Sequence, residues 1–214
     1  AYQNIPGNIN RLKAMMSGRF THYSKSLDPK GRDFVIWHVN DQQDSILIYT
    51  IPVGEPNRQG HWLCEFQIMT SLPDEPVGIG FLHLTELNRD SILVQTYDVP
   101  KDFEYTLEQV LAAPIQLFRD FEFDKLIPPT DLNAPDVYFV RQSPVEFIGY
   151  STWMDEESFD LSEEGGFNRQ QFIITPDQYI WGTLVCDKDK KLTRSFVTER
   201  FVKNQMINQK RVGQ

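Results

Sequence analysis

The stretch HWLCEFQIM, residues His61–Met69, decides the fold, because apolar and polar side chains alternate along it. One face of this stretch carries the apolar residues Trp62, Cys64, Phe66 and Ile68. The opposite face carries Glu65 and Gln67. A period of two is typical of a β-strand that packs one face against a core. We therefore predict a strand here and a mostly β chain around it.

Nine further stretches are rich in β-branched and aromatic residues and are separated by turn signals. They are Phe34–Val39, Ser45–Ile51, Val77–Thr85, Ser91–Val99, Val137–Arg141, Val145–Tyr150, Phe167–Thr175, Tyr179–Cys186 and Leu192–Val202. About ten strands joined mostly by short turns predict a single antiparallel β-barrel, because closure removes the exposed edges of a sheet. A sandwich of two sheets is the alternative that the strand pattern leaves open.

Two helical segments interrupt the strands. Apolar residues recur at helical spacing over Ile9–Ser17, and Gly18 follows as the stop. Thr106 is a good N-cap for a mid-chain helix, which Pro114 ends or kinks. We expect Thr21–Arg32 to be a polar connection, since it contains a proline and a glycine.

The composition fits one globular domain. Of the 214 residues, 40% are apolar and 13% aromatic, which is enough to build a core. We expect an N-terminal extension over residues 1–8, the barrel over residues 9–203 and a polar tail over residues 204–214. The net charge of −9 argues against nucleic acid and anionic membranes as partners, and no apolar run is long enough for a transmembrane helix.

Motifs of the common enzyme classes are missing from the chain. There is no nucleophile elbow, phosphate loop or paired-cysteine motif. His61 and Cys64 stand three residues apart, so a strand points them to opposite faces, and we expect no metal site. Cys64 and Cys186 are expected to be buried free thiols, with a single disulfide as the alternative for an exported protein.

Aromatic residues are the remaining candidates for a site. A barrel of this size has room for one small ligand, and flat side chains would line a pocket for a flat hydrophobic molecule. The candidates are Trp37, Tyr49, Trp62, Tyr97, Trp153 and Trp181. Ordinary core packing would use the same residues.

Five short segments stand in one order along residues 9 to 200. They are Leu12–Phe20 with its MSGRF end, PNRQG at Pro56–Gly60, Leu126–Leu132, Val137–Gly149 and Phe172–Trp181. Each is weak alone, but the collinear set resembles the T-type phycobiliprotein (bilin) lyase family, the CpcT/CpeT-like chromophore lyases. In that family a PYRQ loop takes the place of the second segment.

The resemblance implies a lipocalin-like barrel, often dimeric, that binds an open-chain tetrapyrrole. The bilin, phycocyanobilin or phycoerythrobilin, would be transferred to a cysteine of a phycobiliprotein β subunit, with no metal. Asn57, Arg58 and Gln59 would anchor propionate or ring carbonyl groups, because an arginine fork pairs with a carboxylate. The aromatic contacts to the bilin would come from Trp37, Trp62, Tyr97 and Trp181. Arg58→Ala is expected to weaken ligand binding and leave the fold intact.

The chain departs from the family's pattern at several positions. Asn57 stands where the family has a tyrosine, and Thr50 and Ile51 stand where a glutamate is expected. The family's cysteines are missing near Ala134 and in the acidic loop after Trp153. If the activity is retained, the protein is a lyase that forms a C–S bond.

Three hypotheses therefore remain open. The first is a bilin lyase or bilin chaperone in the cytoplasm or plastid stroma. The second is a non-catalytic, lipocalin-like carrier of another hydrophobic small molecule, in the periplasm if the protein is exported. The third is a structural or interaction protein whose barrel is filled by its own side chains.

Overall fold

The computed structural model describes residues 2–22, 26–27, 33–34, 38–39, 42–43, 46–129, 135–155 and 166–204. These residues form a closed antiparallel barrel of ten strands, with one short strand outside it and a few short helices. The predicted barrel is therefore confirmed, and the two-sheet sandwich is not formed.

The elements are numbered in chain order. The strands are β1 (Gly18–His22), β2 (Ser26–Leu27), β3 (Asp33–Phe34), β4 (His38–Val39), β5 (Gln42–Gln43), β6 (Ile46–Val53), β7 (His61–Met69), β8 (Pro76–Asn88), β9 (Ser91–Asp98), β10 (Val137–Ser143), β11 (Glu146–Ser151), β12 (Met154–Asp155), β13 (Phe167–Ile174), β14 (Gln178–Cys186) and β15 (Leu192–Asn204). The α-helices are α1 (Asn8–Met16), α2 (Pro56–Gln59), α3 (Leu107–Ala112) and α4 (Pro114–Leu117), and the 3₁₀ turns are Tyr2–Asn4 and Phe123–Lys125.

Strand pairing closes the sheet on itself. The order around the barrel is β11-β10-β9-β8-β7-β6-β1-β15-β14-β13, and β13 pairs back with β11. This last pairing runs from Phe147 opposite Ile174 to Tyr150 opposite Gln171. The strand β12 lies outside the barrel, and β2 with β3 and β4 with β5 form two separate small pairs. Hairpins connect most neighbours, as the sequence predicts.

The helix α1 fills one end of the barrel. Leu12 and Met15 are fully buried, and they join a core cluster that includes Leu63, Leu84 and Phe147 of the barrel wall. The apolar residues that predict this helix thus form the helix face that packs inside the barrel. The predicted helix over Ile9–Ser17 is confirmed to within one residue at each end.

A second cluster lies on the outside of the wall. Outward side chains of β6, β7 and β8 pack beneath the segment that contains α3, α4 and the 3₁₀ turn, which contributes Val110, Phe118 and Phe123. We call this segment, residues 99–126, the cover. Thr106 begins α3 with a capping box, since its hydroxyl accepts from Gln109 N and the Gln109 side chain accepts from Thr106 N. The predicted cap is confirmed.

The prediction of a polar connection from Thr21 was wrong in its first residues. The strand β1 reaches His22, and it pairs with both β6 and β15. Gly18 has a φ of 139°, a conformation that favours glycine, so the chain passes from helix to strand without a loop. Phe20 is the one large apolar residue of this strand, too few for a visible period of two. Of the predicted strand Phe34–Val39, residues 35–37 lie outside the described residues, and the ends fall in β3 and β4.

A glycine near the barrel closure allows a close approach of one aromatic ring. Gly149 is paired with Phe139, and a Cβ at Gly149 would come within 2.6 to 2.8 Å of three atoms of that ring. Gly149→Ala is therefore expected to lower the free energy of unfolding by about 1–3 kcal/mol, because the core would be overpacked. Urea unfolding measures it.

The matched control is Gly80→Ala on β8. A Cβ there meets nothing nearer than the Tyr97 carbonyl oxygen at 3.4 Å, which is ordinary contact. This variant should be as stable as the parent or slightly more stable, since alanine restricts the unfolded chain. Equal stability of the two variants would contradict the packing described for Phe139.

Candidate functional site

The described part of the barrel encloses a cavity of about 400 Å³. Its volume lies in the range of small-molecule sites, about 300–1,000 Å³. Met16 at the end of α1 forms part of its floor, and inward side chains of the strands form its wall. The side chains of the described residues therefore do not fill the barrel completely.

One wall of the cavity is a stack of aromatic rings. Phe172 lies parallel to Trp181 at 6.3 Å and to Tyr179 at 5.9 Å between ring centroids. The stack forms because Phe172 of β13 is paired with Trp181 of β14, and Tyr179 lies two residues away on the same face. All three side chains line the cavity, so they offer a flat surface to a planar molecule.

Polar side chains stand on a different wall. Glu65 and Gln67 of β7 point inward, and Thr50 of β6 is the cross-strand partner of Glu65. Gln67 Nε2 donates a hydrogen bond to Glu65 Oε1 at 2.9 Å. The glutamate that the family pattern places near Thr50 is absent, but a carboxyl group stands beside that position on the neighbouring strand.

Burial changes the acidity of Glu65. The Glu65 side chain lines the cavity, and its desolvation inside the barrel raises its pKa, an effect that the hydrogen bond from Gln67 partly opposes. No arginine, lysine or histidine is found among the described residues that line the cavity. The site thus holds the carboxyl proton more tightly than water does, and a protonated Glu65 would donate a hydrogen bond or a proton to a bound molecule.

Among the aromatic candidates, Trp181 and Trp62 lie on different sides of the wall. Trp181 lines the cavity. Trp62 points outward and stacks on His83 at 4.2 Å and on Phe123 of the cover at 4.7 Å. Tyr97 packs against this outer cluster as well. Trp37 lies outside the described residues.

The helix α2 carries the predicted site residues of the PNRQG motif, Asn57, Arg58 and Gln59. It lies at the end of the barrel that α1 fills. Asn57 and Arg58 are exposed, and Arg58 Nη2 lies 3.7 Å from Asp120 Oδ1, with 51% and 92% of these side chains exposed. Glu65 and Gln67 are further along β7, away from α2. Arg58 therefore does not line the cavity, and its predicted contact with a ligand remains untested.

Gln59 connects α2 to the cover. Its Nε2 donates to the carbonyl oxygens of Phe118 at 3.0 Å, Arg119 at 3.2 Å and Phe121 at 2.9 Å. Its Oε1 accepts from Glu55 N at 2.9 Å. The Gln59 carbonyl oxygen also accepts from Trp62 Nε1 at 2.8 Å. One glutamine side chain thus joins α2 to the chain just after α4, where the Phe118 carbonyl oxygen also accepts from Phe121 N at 3.2 Å.

The two thiols are free and buried, as expected from the sequence. Cys64 packs beneath the cover, and desolvation raises the pKa of both Cys64 and Cys186. Neither thiol lines the cavity, so neither is poised to attack a molecule bound there. Over the described residues, no cluster of three metal-binding side chains is found, and no helix could span a membrane.

Comparison with known proteins finds similarity of fold only. No family model matches the chain, and no curated protein sequence matches it significantly. The CRL protein of Arabidopsis, as its selenomethionine form, aligns with a TM-score of 0.44 and 10% identity over 90% of this chain and 95% of that chain. The T-type phycobiliprotein lyase CpeT from Prochlorococcus phage P-HM1 aligns with a TM-score of 0.43 and 12% identity over 93% of this chain and 99% of that chain. At these values no ligand or activity is transferred from either protein.

Gln59→Ala is expected to destabilise the protein by about 1–3 kcal/mol, because several carbonyl oxygens of the cover lose their donor. Arg58→Ala is the control one residue away, and it should change the free energy of unfolding by less than about 0.5 kcal/mol, since the Arg58 side chain is exposed. Chemical unfolding of both variants measures the difference. A larger loss for Arg58→Ala than for Gln59→Ala would contradict the role given to Gln59.

Glu65→Gln should change how stability depends on pH. Because the folded pKa of Glu65 is raised, the folded state holds its proton at a pH where the unfolded state has lost it, and stability falls as pH rises through this window. The variant has no such loss, so its stability relative to the parent should increase as the pH rises above the unfolded pKa of glutamate, about 4.3. Urea unfolding at pH values below and above this pKa tests the prediction, with exposed Glu75→Gln as the control. A parallel pH dependence of Glu65→Gln and the parent would contradict it.

Proposed function

We propose that the protein binds a bilin inside the barrel and carries it to a cysteine of a phycobiliprotein β subunit. Two observations support the proposal. The ordered motifs resemble the T-type bilin lyases, and the barrel has an apolar cavity with a flat aromatic wall and one inward carboxyl group. The cavity is the observation that carries most weight, since a bilin needs an enclosed apolar site.

Each part of the cavity has a proposed task. The planar pyrrole rings would lie against the wall of Tyr179, Phe172 and Trp181. Glu65 would donate to a pyrrole nitrogen or protonate it, which prepares the pigment for attack by a thiol. The propionates would stay outside the cavity, because none of the described residues that line it is a cation and a buried carboxylate without a partner is costly.

The acceptor thiol would belong to the client protein. Cys64 and Cys186 are buried away from the cavity, so this chain would orient and activate the bilin without forming a thioether itself. A homodimer and a place in the cytoplasm or plastid stroma are part of the same proposal, and both come from the resemblance alone.

A non-catalytic carrier of an uncharged hydrophobic molecule is the second candidate. One observation favours it: the part of the cavity wall that the structure describes offers no cation to a propionate, and Arg58 is exposed at the end that α1 fills. A carrier of this kind would need only the apolar wall and one hydrogen bond to Glu65.

Titration with phycocyanobilin and phycoerythrobilin, followed by absorbance, tests the first candidate. Val137→Trp would fill the cavity, since Val137 lines it, and should abolish the absorbance change. Val140→Trp lies on the same strand, where Val140 is 38% exposed on the outside, and it should bind as the parent does. Thermal melting confirms that both variants are folded.

The outcomes separate the two candidates. A saturable absorbance change that is lost in Val137→Trp supports bilin binding in the barrel. No change with either bilin, together with saturable binding of the uncharged dye Nile red, would favour the carrier. A bilin that binds folded Val137→Trp as well as the parent would exclude the cavity as the site.

A further inference from the structure

A second group of polar atoms is buried on the wall formed by β13 and β14. Trp181 Nε1 is buried and has no hydrogen-bond partner among the described residues, and the same holds for both polar side-chain atoms of Asn168. Asn168 is fully buried, and Gln170, which lines the cavity, is 5% exposed. Such groups are costly unless a partner satisfies them, so their presence inside the barrel requires an explanation.

Strand geometry points these residues inward together. Asn168 and Gln170 are two residues apart on β13, on the same face as Phe172, which lines the cavity. The backbone at Gln170 is fixed, because Gln170 N donates to Ser151 Oγ at 2.9 Å on the neighbouring part of the wall. The amide of Gln170 is thus presented to the cavity from a fixed strand, two residues from Phe172, whose cross-strand partner is Trp181.

This group faces Glu65 across the barrel. In the order of the ten strands, β13 lies five strands from β7 in either direction. The cavity therefore has two polar sides: the acid side with Glu65 and Gln67, and an amide side with Gln170 and Trp181. Asn168 lies behind the amide side, buried on β13. The aromatic wall lies beside the amide side.

We propose that the amide side binds a lactam. A lactam presents a fixed N–H donor beside a C=O acceptor, which the amide of Gln170 and the indole N–H of Trp181 complement. The proposed ligand is a planar molecule with a lactam at one end. Further along, it has a nitrogen that accepts a hydrogen bond or a proton from Glu65. This inference rests on the proposed function, because an open-chain tetrapyrrole has a lactam as each terminal ring.

The amide side would fix which way the pigment lies. With one lactam held by Gln170 and Trp181, the inner pyrrole rings would cross the cavity toward Glu65. An apolar cavity alone would accept a planar molecule in several orientations, and a delivery protein needs one. Gln170 and Trp181 are therefore specificity-determining residues, while Glu65 acts on the pyrrole nitrogens.

The test uses Gln170→Leu and Trp181→Phe, which keep size and stacking but remove the hydrogen-bonding groups. Gln171→Leu is the matched control, since Gln171 is on the opposite face of β13 and donates to Tyr150 Oη at 3.0 Å. The probes are phycocyanobilin and the same bilin with its terminal lactams converted to lactim ethers, which lack the N–H. Absorbance titrations give Kd, and thermal melting shows that the variants are folded.

Gln170→Leu and Trp181→Phe should each raise the Kd of phycocyanobilin about tenfold, as expected for a buried hydrogen bond. Neither should change the Kd of the lactim ether appreciably, and Gln171→Leu should match the parent with both probes. If the parent binds phycocyanobilin but the variants bind it as tightly as Gln171→Leu, the lactam assignment is overturned and the proposed function stands. If the parent does not bind phycocyanobilin at all, both are overturned.

Discussion

The pairing of β11 with β13 is the interaction on which the rest of the structure depends. Four residue pairs, from Phe147 with Ile174 to Tyr150 with Gln171, turn a curved sheet into a closed wall. Without this closure the inward side chains would face solvent, and no cavity would separate Glu65 from Gln170. On its other side β11 pairs with β10, which places Gly149 against the ring of Phe139 and leaves no room for a side chain at this position.

In β7 the more polar face points into the barrel and the apolar face points out of it, which is the reverse of the usual arrangement. Its apolar face, with Trp62, Cys64 and Phe66, points outward and is buried by the cover. Its more polar face, with Glu65 and Gln67, points inward to the cavity. The sequence predicted the strand and the two faces correctly, because the period of two is local. It could not predict which face points inward, because that depends on a cover that begins thirty residues after the end of β7.

The difference between local and long-range signals also explains which other features could be predicted from the sequence. Nine of the ten predicted strands have counterparts in the barrel wall, and the Thr106 cap and the break at Pro114 are local signals that the structure confirms. The strand β1 was missed because it is short and polar apart from Phe20. Glu65 was noted for its strand face but not proposed for the site. The motif around Arg58 drew attention instead, and in the structure Gln59 of that motif holds the cover in place.

The central claim is that a planar pigment lies between the acid side and the amide side of the barrel. A crystal structure of the protein grown with phycocyanobilin tests it most directly. The account predicts density for the pigment inside the barrel, with a pyrrole nitrogen near the Glu65 carboxyl group, a lactam near Gln170 and the propionates at the mouth. Density on the outer surface near Arg58, with the cavity unchanged, would contradict it.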